Sequence, residues 1–261
     1  MIGLLRDLVR YRDLLYVIAW RDIKVKYKQS LLGFMWAMLI PTVVVLAGLL
    51  VRLGMSHLSG QPVDSRDIAA VSVKAVPWAF FTASVRFATS SLIGNANLVT
   101  KIYFPKAILP LATIASQLFD FVVASTALTI ALIILEVGIS VYLVWVPLLV
   151  AILIVICAGL GVFLSAASLF FRDVKYIVDV VITFAIFFTP VLYEVSAFGK
   201  WGTWIMLNPV APIMEGLYAS VIEHTSPNIP WVCYSAVVSV VFLYGALRLF
   251  RKLEPIFAES I

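Results

Sequence analysis

Asn95-Ala-Asn-Leu-Val-Thr-Lys-Ile-Tyr-Phe-Pro-Lys-Ala-Ile-Leu-Pro110 is a polar island between two apolar runs, Val76–Ile93 and Ile108–Leu135. As helices, both runs reach the length needed to cross the roughly 30 Å hydrocarbon core of a bilayer. Within the island, Asn95 and Asn97 can cap a short helix, while Leu98, Ile102 and Phe104 offer apolar knobs. Lys101 and Lys106 carry charge, and Pro105 and Pro110 punctuate the start of the next helix. This pattern predicts a short docking helix lying across the membrane surface. An ordinary cytoplasmic turn obeying the positive-inside bias is the competing reading.

Composition sets the class around that loop. The chain has 261 residues, 63% of them hydrophobic and only 13% charged, with a mean hydropathy of +1.07. So few charges cannot coat a soluble globule of this size, so the chain reads as an integral membrane protein. The net charge of +5 does not point to nucleic acid, because the basic residues crowd at segment ends and in the first thirty positions. Cys157 and Cys233 fall inside apolar runs and suggest neither a disulfide framework nor a metal site. No removable signal peptide is expected.

Working outward, the second span (Val76–Ile93) carries Arg86 and the third (Ile108–Leu135) carries Asp120. On consecutive antiparallel spans these charges fall at similar depth. Pairing would offset part of the ~2.5–3.5 kcal/mol cost of a charge near the bilayer centre. The competing readings place Arg86 on a conduit or snorkelling to lipid. Before the second span lies Met55–Lys74, expected as an outside loop, and before that a first span, Leu31–Leu53, with Gly33, Trp36 and Pro41. The chain starts with an amphipathic segment: Leu4, Leu8, Tyr11, Leu15 and Ile18 share one helical face, with Arg6, Asp7, Arg10 and Asp13 opposite. Residues 1–30 are expected to form an interface helix and its cationic anchor.

On the other side, a fourth span, Leu143–Leu169, holds the small residues Ala158, Gly159, Gly161, Ser165 and Ala166, which allow close helix contact. The fifth run, Ile177–Leu192, is broken by Pro190. Residues 193–230 mix Trp201, Trp204 and Ile205 with Asn208-Pro209 and Pro212. They read as short re-entrant helices in the outer leaflet, since irregular backbone at membrane depth persists only against protein or water. An outside loop with aromatic-belt residues is the alternative. A sixth span, Trp231–Phe250, ends at Arg248, Arg251 and Lys252. The expected fold is therefore all-α and polytopic, one domain of six transmembrane helices with both termini cytoplasmic, because most Lys and Arg fall on one side.

No Gly-x-x-x-x-Gly-Lys-Ser/Thr phosphate cradle occurs, so ATP hydrolysis is not expected in this chain. His57 and His224 both lie in segments expected outside, which leaves no metal site or general-base pair in the membrane. Six spans with a polar cytoplasmic loop fit half a pore driven by a separate ATPase.

Arg21-Asp22, Tyr27, Gly33, Trp36 and Pro41, then Asn95-x-x-Leu98-x-x-Lys101-x-x-Phe104-Pro105-x-x-x-Leu109-Pro110, Phe171-Arg172-Asp173 and Asn208-Pro209 carry a resemblance. Together they resemble the permease subunit of ABC-2 type polysaccharide exporters of O-antigen, capsule or teichoic acid, over nearly the whole chain. The resemblance implies a homodimer working with two copies of a separate ATP-binding subunit, in which ATP and Mg bind. It also implies that residues 95–106 form the coupling helix, through Asn95, Asn97, Leu98, Lys101, Phe104, Pro105 and Lys106, and that residues 193–230 form an outer gate. The cargo it implies is an undecaprenyl-linked polysaccharide crossing the bacterial inner membrane. Export of a drug or small lipid, and more distantly a lipid-linked sugar transferase, are the alternatives. A polysaccharide needs flat apolar walls without tight polar binding, so Tyr27, Phe34, Trp36, Arg86, Phe184, Phe187, Phe188 and Tyr193 are the expected lining. Ordinary packing between spans is the competing role for each ring.

Overall fold

The computed structural model describes residues 10–28, 33, 35–59 and 65–257. Leu4, Leu8, Leu31 and Phe34 lie outside the described residues, and so do the expectations that fall on them. Every regular element among the described residues is helical. Helix α1 (Arg12–Lys28) is followed by α2 (Met35–Ser59) and α3 (Ser65–Thr89). The loop supplies two short helices, α4 (Ser91–Gly94) and α5 (Ala96–Lys101). Then come α6 (Ile108–Ile134), α7 (Trp145–Phe170) and α8 (Asp173–Ala185). Short α9 (Gly202–Met206) and α10 (Ala211–Tyr218) precede α11 (Ile229–Leu253).

Among the described residues, four stretches are long and apolar enough to cross a membrane: Arg66–Thr89, Ile108–Ile134, Val141–Phe170 and Ile229–Ile256. Helix α2 is apolar over the shorter stretch Met35–Val51, and it runs through Pro41 without interruption. The expected fifth run becomes α8 plus a 3-10 turn, Ile186–Phe188, and the backbone turns extended at Thr189 before Pro190. The proline's missing N–H and the restriction on the residue before it account for that break.

Helix α3 is the most enclosed of the long helices, and the second half of α6 faces outward. Small residues set this layering. A methyl added at Gly161 would lie 2.8 Å from the Ala88 Cβ on α3, and one at Gly159 would lie 2.8 Å from the Phe242 ring on α11. Helix α7 therefore touches α3 and α11 at close range, as its small-residue stripe predicts. Two apolar clusters result. One fills the middle around Trp78, Phe80, Leu153 and Met214. The other joins Ile18 of α1, Val99 and Phe104 of the loop region, and Phe250 and Phe257 at the end of the chain. Tyr11 and Leu15 pack on the second cluster too, so the described part of the amphipathic face is the face that packs.

Met55–Lys74 is not an outside loop, which corrects the expectation from its charges. Helix α2 continues to Ser59 and α3 begins at Ser65, so residues 60–64 alone separate them. Lys74 stands inside α3 and is 2% exposed. A lysine ends an apolar run only when nothing inside the protein receives it, and here a carboxylate from a distant segment does.

Candidate functional site

The 95–106 loop forms a short helix over part of its length, Ala96–Lys101. Helix α5 ends at Lys101, and Ile102 is extended with φ −123° and ψ 135°. Phe104 lies past the end of that helix and turns inward, 5% exposed, while Tyr103 projects at 97%. Ile102 is half exposed, Leu98 packs partly on the second apolar cluster, and Asn97 and Lys101 face solvent. Phe104, expected as a docking knob, is thus buried against the chain itself, and Tyr103 is an exposed ring that periodicity alone did not single out.

Asn95 occupies the N-cap position of α5, but its side chain makes no cap bond. Its Nδ2 donates instead to the Ser91 carbonyl at 2.8 Å, and its Oδ1 accepts from Arg21 Nη2 at 2.9 Å. Arg21 also pairs with Asp22 at 2.8 Å. Two motif pieces far apart in sequence thereby clasp α1 to the loop. Pro105 is half-buried, and the Lys106 ammonium lies 4.3 Å from the centre of the Phe104 ring and bonds the Ile102 carbonyl. Burial pushes the Lys106 ammonium below the usual lysine range, against the pull of Glu254.

Arg86 and Asp120 do not pair, which corrects that expectation. Arg86 Nη2 donates to Thr183 Oγ1 at 2.8 Å, and its Nε lies 3.5 Å from the Asp179 carboxylate, so it ties α3 to α8. Asp120 receives Lys26 and the Tyr27 hydroxyl, and so ties α6 to α1. Each of the two charges turns to a different neighbour around its helix. Both nevertheless border one groove of about 610 Å³, together with Lys26, Trp36, Phe80 and Gln117. Gln117 Oε1 is a buried acceptor without a hydrogen-bond partner among the described residues. The groove thus combines aromatic walls with two cations and a carboxylate.

Among the described residues, the other expected lining residues do not join Trp36 and Arg86 in that groove. Tyr27 is held by Asp120 and lies edge-on to Phe119, with ring centres 6.1 Å apart. Phe184, Phe187 and Phe188 form an exposed aromatic face beside the Pro190 break. Tyr193 crosses back over the break, its hydroxyl donating to the Phe187 carbonyl at 3.0 Å. Asn208 stitches the same break, its Nδ2 donating to Thr189 Oγ1 at 2.9 Å and to the Phe188 carbonyl at 3.2 Å. From α11, Tyr234 donates to the Leu207 carbonyl at 2.8 Å and Ser235 to the Pro209 carbonyl at 2.5 Å. Irregular backbone between α8 and α11 is therefore satisfied by side chains, as burial demands.

A family model described as ABC-2 type transporter matches residues 13–222. The chain belongs to the ABC-2 type transporter family. It is 31% identical over 264 residues to the O-antigen export system permease protein RfbA of Myxococcus xanthus, covering all of both chains. It is 25% and 24% identical over 251 residues to two proteins of the same name from Klebsiella pneumoniae, covering 95% of each chain. As an ABC-2 chain with several long apolar helices, it is a multi-pass membrane protein.

One feature of this ABC-2 transporter chain left no trace in hydropathy. The buried Lys74 ammonium meets Glu215 of α10 at 2.5 Å, the Tyr193 carbonyl at 3.2 Å and the Tyr218 ring at 4.7 Å. It gathers α3, the segment after Pro190 and α10 at one point. The signal available in sequence was a lone lysine inside what would otherwise be a longer apolar helix.

Proposed function

We propose that this chain is the transmembrane subunit of an ATP-driven exporter that moves a lipid-linked polysaccharide, an undecaprenyl-diphosphate-linked O-antigen, across the bacterial inner membrane. The observation that carries the mechanism is the 95–106 loop. It joins two long apolar helices, anchors on buried Phe104 and presents Tyr103 and Ile102 outward. Such a surface suits a separate ATP-binding subunit, in which ATP and Mg would reside, two copies serving a homodimer of this chain. The full-length match to permeases named for O-antigen export supports the cargo.

In this reading the chain crosses the membrane six times with both termini cytoplasmic. Helix α2 and the α8 segment complete the four long spans, α1 lies in the interface, and α9 and α10 are re-entrant helices of an outer gate. Arg86 and Trp36 border a groove near the cytoplasmic level where a lipid diphosphate meets cations. The exposed ring face of Phe184, Phe187 and Phe188 supplies apolar wall for a sliding glycan once two copies assemble. The reading is tested by deleting the gene in its host and following surface O-antigen. Loss of surface glycan with accumulation of the lipid-linked form inside, restored by the wild-type chain but not by Tyr103→Ala, is expected. Normal surface glycan in the deletion strain would overturn the reading.

A further inference from the structure

The end of the last long helix turns back onto the 95–106 loop. Beyond α11 the chain makes one 3-10 turn, Glu254–Ile256. Glu254 Oε1 accepts the backbone N–H of Lys106 at 2.7 Å, across 148 positions of sequence. Phe257 follows, fully buried, its ring centre 5.0 Å from that of Phe250 and 6.0 Å from that of Phe170. Phe250 and Phe257 belong to the same apolar cluster as Phe104.

Position explains what the carboxylate does. Pro105 has no N–H, and α6 starts at Ile108, so the Lys106 amide is the first donor after the extended stretch and precedes any helical acceptor. A carboxylate supplies that amide with a charge-assisted bond, stronger than a neutral one. A separate groove of about 760 Å³ is lined by Tyr103, Pro105, Lys106, Arg251, Glu254 and Pro255. The loop is therefore gripped twice by the chain's end, through the apolar cluster at Phe104 and through the amide at Lys106.

We infer that Glu254 is a positioning residue for coupling. It sets the height at which Tyr103 and Ile102 stand on the cytoplasmic face, and it links a push on the loop to α11 as well as to α3 and α6, which the loop joins in sequence. This rests on the reading of the loop as the contact for an ATP-binding subunit. The test uses the full chain reconstituted with that subunit in proteoliposomes, comparing wild type, Glu254→Ala and Glu254→Gln, the last of which keeps an acceptor oxygen. In Glu254→Ala, hydrogen exchange in peptides covering 102–107 is expected to rise about tenfold and glycan exported per ATP to fall about fivefold, as loss of one such bond allows. The subunit should still copurify, and Glu254→Gln should return both readouts to within about twofold of wild type. Unchanged coupling in Glu254→Ala, or equal defects in both variants, would overturn the inference alone. A wild-type chain that recruits no ATP-binding subunit would overturn the proposed function, and the inference with it.

Discussion

The two polar regions of this chain solve opposite problems. At the 95–106 loop a buried ring, Phe104, holds an exposed one, Tyr103, so that polar and aromatic groups are offered outward. Around Thr189–Glu223 the traffic runs inward: Asn208 and Tyr193 of this stretch, Ser235 of α11 and Lys74 of α3 all turn their polar atoms onto the chain's own carbonyls and carboxylates. In the proposed function the first region is the one another protein touches, while the second satisfies itself. Substitutions should therefore separate function from stability at the loop and merge them at the outer segment.

The largest effect is expected at Lys74 and Glu215. Glu215→Leu strands a buried ammonium and should cost about 3–5 kcal/mol in thermal unfolding, with most of it recovered in Lys74→Leu/Glu215→Leu. A single variant as stable as wild type would show that the outer segment does not depend on the pair. Phe104→Ala comes next, at about 3 kcal/mol, because it empties a packed site. Tyr103→Ala, its neighbour, should leave stability within about 0.5 kcal/mol while export fails. Equal melting of the two variants would erase the contrast between anchor and knob.

Asp120→Leu and Arg86→Leu sharpen the picture on a smaller scale. Because the two groups serve different partners, the double variant should be additive within about 0.5 kcal/mol. A strong positive coupling would restore the direct pair that the sequence suggested. Smallest of all, Phe187→Ala or Phe188→Ala should leave the melting temperature of the detergent-solubilised chain within about 2 °C. Their effect should appear in export alone, and a large loss of stability would assign these rings to packing within the chain.

Much of the fold was legible because hydropathy reports length along a helix. The third run was expected to start at Ile108 and does so, and the small residues around Gly159 and Gly161 mark a close helix contact that is present. Hydropathy carries no direction around a helix. Arg86 and Asp120 were therefore given the wrong partners. Nor does it see a charge neutralised from far away, so Lys74 was read as the edge of a loop. At the loop, helical spacing was carried past Lys101, where the helix ends, so it did not report that Phe104 turns inward and Tyr103 outward.

The ion pair of Lys74 also dictates an order of events during synthesis. Its carboxylate partner is encoded 141 residues later, and at about 5–20 residues per second a ribosome needs roughly 7–28 s to reach it. Throughout that interval the Lys74 ammonium lacks this carboxylate. The packing of α3 against α10 at that point can therefore be completed only after the segment around Glu215 has been made. Assembly of the centre of this protein is in that sense finished from its C-terminal third.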